Sequence, residues 1–383
     1  MMTNSSLQTP DLLPRLAFVS TGGTIAGTVV EGADHWKYES AQRSGQSLIM
    51  GVPGLLRRAQ WLFEQPYSIG SQNLELSHML QLRALVLHLL HSPDVDGILL
   101  THGTDTMEEM LYFLHLTLPA GSLTKPVLFT GAMLPSDYPQ ADGPDNLNSS
   151  VDLLCHTLSD CRLNDHQACN DNAGSFEAIG LEAVMPFGLV MQGLYTPAAA
   201  VEKRTTSGLD AFDGAFSVKA DINWSVSLDQ SELVARFGKQ GEFSSLFNVD
   251  TTSLPLFEAL EVPVVFCTPG NGPVRQLNDL LGRKPASVIV AAPGHGNIPD
   301  ACVPVLRRLL INGVSVVRAS RVAEGGVELG GEFDALDDYR ADVSNQKSKN
   351  GKPAGVFSEA GHLSLSKCVM RERLRVLAHS LSL

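Results

Sequence analysis

Two apolar runs in this chain end in threonine-glycine turns, and that recurrence constrains the fold more than any other feature. Leu16–Ser20 runs into Thr21-Gly22-Gly23-Thr24, and Val95–Thr101 runs into His102-Gly103-Thr104-Asp105. Neither run alternates polar with apolar residues. Each therefore reads as a strand buried on both faces, as in parallel sheets covered by helices. Between them, Leu76–His91 has a helical pattern. Met107–Leu118 predicts a further helix, with Asp105 or Thr106 as N-cap and Glu108 and Glu109 in its first turn. Pro126–Thr130 predicts a third strand, entering Gly131-Ala132-Met133, and Leu189–Gln192 a fourth. Alternation of this kind specifies an α/β fold.

A chain of 383 residues exceeds one ordinary core, and roughly 150 residues per domain predicts two. Residues 14–240 read as the larger, N-terminal domain, a mostly parallel sheet flanked by helices, with 241–260 as linker. Residues 261–383 read as a smaller parallel α/β domain. Its strands are Val262–Cys267, Ser287–Ala292 and Val314–Arg318, and its helices Val274–Leu281 and Cys302–Ile311, a βαβαβ pattern. Lys367–Leu381 closes the chain as an amphipathic helix. Ser159–Glu182 is polar and Asn/Asp-rich and reads as an inserted loop. Thr205–Asp250 reads as short β-like runs, and Tyr339–Pro353, carrying Lys347, Lys349 and Lys352, as a mobile loop.

Charge narrows the partners. A formal net charge of -13 argues against a nucleic-acid surface, which needs clustered Lys and Arg, and against docking on anionic membranes. No apolar run reaches the roughly eighteen residues that a transmembrane helix needs. Met1–Pro10 lacks the basic start and apolar centre of a signal peptide. That gives the expectation of a cytoplasmic protein; a periplasmic one would require that a leader had been removed. Cys155, Cys161 and Cys169 stand close to His156 and His166, yet their spacings are not those of zinc knuckles and no CxxC occurs. The expectation is reduced cysteines, no metal and no cofactor.

In open parallel sheets ligands bind beyond the carboxyl ends of strands, so turns on two adjacent strands would face one pocket. Gly22 and Gly23 let the backbone approach a ligand and expose amide N–H groups. Thr24 and Thr104 offer hydroxyls, and Asp105 a carboxylate. Singly, each has a plainer explanation. Thr24 is a turn residue, Asp105 a helix cap, Lys203 a surface lysine, Tyr38 a packing tyrosine and Ser71 a turn serine. The glycines alone suggest phosphate, but no Walker lysine and no G-x-G-x-x-G accompanies them.

Taken together, Thr21-Gly22-Gly23-Thr24-Ile25-Ala26-Gly27 and Thr101-His102-Gly103-Thr104-Asp105-Thr106-Met107-Glu108-Glu109 resemble the two signatures of the bacterial-type L-asparaginase/glutaminase family. Gly70-Ser71-Gln72, Gly131-Ala132-Met133, Ala141-Asp142-Gly143-Pro144 and Val316–Val322 resemble further family segments in the family's order. The resemblance runs from about Leu16 to Leu377. It implies hydrolysis of the side-chain amide of free L-asparagine, with L-glutamine as a second substrate, through a threonyl acyl-enzyme. Thr24 matches the nucleophile and Tyr38 the loop tyrosine that assists it. Thr104, Asp105 and Lys203 match a group that activates the nucleophile or the water. Ser71 and Gln72, with Gly70, match the cradle for the substrate's α-carboxylate and amino group; Asp105 pairs with the α-ammonium, and the backbone at Ala132 holds the scissile amide. Glu332, with Glu328 as second candidate, matches a glutamate reaching into a neighbouring subunit's site, which implies a homo-oligomer built as a dimer of intimate dimers.

The residue types suit that chemistry. A threonine hydroxyl is a poor nucleophile near neutral pH and needs a base or a hydrogen-bond relay. Backbone N–H groups near Gly23 and Thr104 are the candidate oxyanion donors, and Gly23 and Gly103 count with the substrate-binding residues. The chain departs from the family at Asn73, where an aspartate is usual, at Gln192-Gly193, and at His295 in place of asparagine. His295 reads as a loop residue near a subunit contact. Two rivals remain. An amidotransferase subunit with an asparaginase-like domain would carry an additional N-terminal domain, whereas about a dozen residues precede the first strand here. A catalytically silent amino-acid-binding protein on the same fold would bind without releasing ammonia.

Overall fold

The computed structural model describes residues 13–31, 37–168, 185–220, 229–247, 254–323, 325–327, 335–340 and 355–381. The chain divides into two compact units, residues 1–107 with 121–228 and residues 108–120 with 229–383.

In the first unit the described strands and helices are β1 (Arg15–Ser20), β2 (Thr28–Val29), β3 (Tyr38–Glu39), α1 (Gly45–Met50), β4 (Gln60–Glu64), α2 (Leu76–His91) and β5 (Gly97–Thr101). After the next helix, α3 (Met107–Thr117), come β6 (Val127–Thr130), α4 (Gly143–Ala168), β7 (Phe187–Met191), β8 (Leu194–Pro197) and β9 (Val218–Lys219). Seven of these strands form one sheet, ordered β4-β1-β5-β6-β7-β8-β9. It is parallel from β4 to β7, and β8 and β9 are added antiparallel. The α/β class expected from the sequence is the one observed.

Register is what positions the site. Ser20 pairs with Thr101, and Thr101 with Thr130, so β1, β5 and β6 end level. The turns that follow them emerge side by side. The chain leaves β1 for β4 on one side and reaches β5 on the other, so strand order reverses at β1. Such a reversal opens a crevice at the strands' carboxyl ends. Beneath it Phe18, Leu99, Leu128 and Val190 of the sheet pack with Leu48 and Ile49 of α1 and Val151 and Leu154 of α4.

Helix α4 is the main element that the sequence reading lacked. Its core-facing residues Leu147, Val151, Leu154 and Leu158 recur at helical spacing, and Pro144 sits in its first turn, where a missing N–H costs nothing. The backbone remains helical through 159–168, expected to be loop; the remainder of that segment, 169–182, lies outside the described residues.

The second unit takes in α3, α5 (Gln230–Phe237), α6 (Leu254–Ala259), β10 (Val264–Phe266), α7 (Gly272–Arg283), β11 (Ser287–Ala292), α8 (Val303–Ile311), β12 (Ser315–Ser320), β13 (Phe357–Glu359) and α9 (Leu365–Leu381). Its sheet, β10-β11-β12-β13, is parallel throughout. Val288 and Val290 of β11 face one helix layer and Ile289 the other, so both faces are apolar. Segment 205–250, expected to be β-like, contains α5, capped by the Asp229 carboxylate, which accepts from Ser231 N and Glu232 N. Beyond Arg340, the Tyr339–Pro353 loop lies outside the described residues. No helix among the described residues is long and apolar enough to cross a membrane.

Arg318 of β12 is fully buried, and its charge is met by Glu359 of β13 at 3.5 Å. Arg340 grips the same carboxylate at 2.6 and 2.7 Å. Removing that carboxylate would leave a buried guanidinium beside a second cation. Glu359→Ala is therefore expected to lower stability by about 3–5 kcal/mol, read from urea unfolding; an unchanged midpoint would contradict this account.

Candidate active site

The turns after β1 and β5 touch backbone to backbone. Gly23 has φ +78° and ψ -172°, a conformation essentially reserved for glycine. A Cβ there would lie 2.5 Å from Gly103 Cα, and a Cβ on Gly103 would lie 2.4 Å from Ser71 Oγ. Glycine at both positions lets three backbone segments close on one point. Hydrogen bonds hold them there. Gly23 N donates to Ile69 O at 2.9 Å, Thr21 N to Thr101 O at 3.1 Å and His102 N to Thr130 O at 3.1 Å.

Two hydrogen-bonded groups stand on these turns. Thr24 opens a single 3-10 turn, Thr24–Ala26, is 8% exposed, and its Oγ1 lies 2.8 Å from Tyr38 Oη. Tyr38 is carried by β3, which pairs with β2 through Val29. Lys203 Nζ donates to Thr104 Oγ1 at 3.0 Å and to Asp105 Oδ1 at 2.7 Å. This lysine is largely enclosed while Asp105 is open to solvent. It is not the surface lysine that its sequence context alone would suggest.

Ser71 is buried; its Oγ accepts from Asp105 N at 3.2 Å, and its carbonyl accepts from Thr106 Oγ1 at 3.0 Å. Gly70 is buried beside it, and Gln72 and Asn73 are exposed. Ala132, on the turn after β6, is 1% exposed. Glu328 and Glu332 lie outside the described residues. His295 is exposed on the loop after β11. Gln192 and Gly193 have φ +53° and +69° and close a two-residue hairpin between β7 and β8. Among the described residues no group of three or more His, Cys, Asp or Glu could hold a metal.

One expectation needs correction. The Gly23 N–H, a candidate oxyanion donor, is taken by Ile69 O, because the sheet-like bridge to residue 69 claims it. The Asp105 N–H is taken by Ser71. Among the described residues the Thr24, Gly103 and Thr104 N–H groups make no hydrogen bond and stay available to meet a developing negative charge.

Sequence reasoning also passed over His102, which lies inside a quoted motif. Its ring is buried, with Nδ1 2.8 Å from Thr21 Oγ1. The Thr21 hydroxyl spends its proton on Thr101 O at 2.9 Å, so it accepts from His102 Nδ1–H. Nε2 faces Thr106 Oγ1 at 3.4 Å, the hydroxyl that donates to Ser71 O. A neutral imidazole thus joins the turn after β1 to the one after β5. Burial pushes its pKa down to about 4.

With this geometry in hand, the comparisons are informative. The family model described as asparaginase, N-terminal, matches residues 15–231. L-asparaginase 2 of Bacillus subtilis is 31% identical over 82% of this chain and 75% of its own length. The glutaminase-asparaginase of Pseudomonas fluorescens is 30% identical over 90% of this chain and 86% of its own. In structure, a probable cytoplasmic L-asparaginase from Campylobacter jejuni matches with a TM-score of 0.69 and 25% identity, covering 95% of each chain. Fold, turns and relatives define the class of an α/β amidohydrolase. The chain belongs to the asparaginase family and is an enzyme of L-asparaginase/glutaminase type.

The depressed His102 pKa sets a pH dependence. The unfolded chain takes up a proton near pH 6.5 and the folded site only near 4, so stability is complete above 6.5 and is lost as pH falls between those values. The slope from this residue is at most about 1.4 kcal/mol per pH unit. His102→Asn should flatten that part of a stability-versus-pH curve; an unaltered slope would show that other groups cause it.

Proposed function

We propose that the protein hydrolyses the side-chain amide of a free amino acid, L-asparagine or L-glutamine, through an acyl-enzyme on Thr24. The hydrogen bond from Thr24 to Tyr38, on a turn in backbone contact with the one bearing Thr104, carries this reading. Thr24 Oγ1 attacks the amide carbon as its proton passes to Tyr38 Oη, which hands its own proton on to the departing nitrogen. The oxyanion is met by the Thr24 and Thr104 N–H groups, each worth about 2.7–4 kcal/mol in such a position. Collapse expels ammonia and leaves the acyl ester. Water then attacks the ester, with its proton drawn off by the Thr104–Lys203–Asp105 group, and Thr24 is restored.

Lys203 suits that role through its bonds to both partners. Ser71 and Gln72, with the close-packed backbone at Gly70 and Gly103, would receive the α-carboxylate and amino group. The exposed side of Asp105 would pair with the α-ammonium. A requirement for that ammonium explains a preference for free amino acids over amides within a polypeptide. The printed names of the relatives, L-asparaginase and glutaminase-asparaginase, support the same substrates. The proposed location is the cytoplasm, in keeping with the name of the Campylobacter protein, although a Haemophilus influenzae relative at 31% identity is named periplasmic.

Ammonia release from both amides, compared between the native protein and Thr24→Ala, tests the reaction. The variant should lose about a thousandfold or more in kcat while keeping its fold. Binding of amino acid without any release by the native protein would instead favour a silent binding protein.

Glu332 is proposed to complete a neighbouring subunit's site, in a dimer of intimate dimers. Light scattering coupled to size exclusion should then find activity only in the oligomer, and a fully active monomer would remove the composite site.

A further inference from the structure

We infer that Asp142 and Asn146 are positioning residues that aim the Ala132 peptide at the substrate's amide; the inference rests on the amide-hydrolase reading above. Asp142 is 4% exposed and immediately precedes α4, and Asn146, fully buried, lies one helical turn further on. Asp142 Oδ1 accepts from Leu134 N at 3.0 Å and from Met133 N at 3.1 Å. Oδ2 accepts from Met133 N at 3.1 Å and from Asn146 Nδ2 at 3.0 Å. Asn146 Nδ2 also donates to Gly131 O at 3.0 Å, and Asn146 Oδ1 accepts from Gln192 N at 2.8 Å.

These bonds grip both peptide planes beside Ala132 by their outer atoms. The Gly131–Ala132 peptide is held at Gly131 O and the Ala132–Met133 peptide at Met133 N. Because a peptide is planar and trans, fixing one polar atom fixes the direction of the other. The inner atoms are the Ala132 N–H and C=O, and among the described residues neither makes a hydrogen bond. At 1% exposure that is an unusual condition, since buried backbone groups are nearly always paired. An ordered donor and acceptor on one residue suit a ligand that offers the complementary pair, and a primary carboxamide does. The place is right as well. A Cβ on Gly143 would lie 3.0 Å from Ile25, the residue after Thr24, and 3.6 Å from Ala132 Cβ.

The anionic acceptor explains why this position is an aspartate. Its hydrogen bonds to neutral N–H donors are charge-assisted and strong. In Asp142→Asn, of equal shape, one oxygen becomes an NH2 that must face other donors. The Ala132 peptides would be released to turn, with little change elsewhere in the sheet.

A pair of substrates separates positioning from general damage. L-asparagine presents an amide N–H to the Ala132 carbonyl, whereas the β-methyl ester of L-aspartate delivers the same acyl group without one. In Asp142→Asn, kcat/KM for asparagine should fall about a hundredfold, as for a misaligned reacting group, and that for the ester about threefold or less. Asn146→Ser, which frees Gly131 O, should show the same asymmetry and serves if the first variant does not fold. Equal losses for amide and ester, or no loss in a folded variant, would overturn the inference. Native protein inactive on both substrates would instead overturn the amide-hydrolase reading on which it rests.

Discussion

The backbone contact between Gly23 and Gly103 is the constraint on which the rest of the site depends. The level ends of β1, β5 and β6 bring their turns into line, but only missing side chains let the turns close. Once they are closed, the hydroxyls of Thr24 and Thr104 are held on neighbouring segments, and the Thr24 and Thr104 amides stay spare for a ligand while that of Gly23 is engaged. Glycine serves here by shape, threonine by chemistry.

Backbone proximity alone would leave such turns free to rock. Buried polar side chains prevent it, and they are neutral or fully solvated by donors. His102 joins the turn at Thr21 to the turn at Thr106, and Asp142 with Asn146 ties the turn after β6 to α4 and to the hairpin at Gln192. Networks of this kind stabilise only when every member is satisfied. The Arg318–Glu359–Arg340 cluster in the second unit follows another logic, where opposite charges offset the cost of burial.

How much of this was legible follows from which signals are local. β1, α2 and β11 were readable because burial on both faces or helical period writes itself into consecutive residues. β4 was not, because an edge strand paired only with β1 is half exposed and its apolar stretch, Trp61–Phe63, is only three residues long. Helix α4 was obscured by Asn, Asp and Ser residues on its outer turns, and the short β8 by its dependence on a hairpin turn. In the same way the helix α3, next in sequence to the Thr104 turn, counts with the second unit. There Tyr112 Oη donates to Phe237 O, a bond across 125 positions that no local pattern contains.

The sequence by itself determined the α/β class and the two threonine-glycine turns at strand ends, since composition and period act over neighbouring residues, and its resemblance to a known family singled out Thr24, Thr104, Asp105 and Lys203 as the chemical groups to watch. Tertiary structure decided which of those groups bond to one another. It turned Lys203 inward onto Thr104 and Asp105, and it engaged the Gly23 amide with Ile69 O. It also gave His102, Asp142 and Asn146 their tasks. The physical reason is that hydrogen bonds of this kind join residues tens of positions apart, and only strand order and register bring them within 3 Å or so of each other.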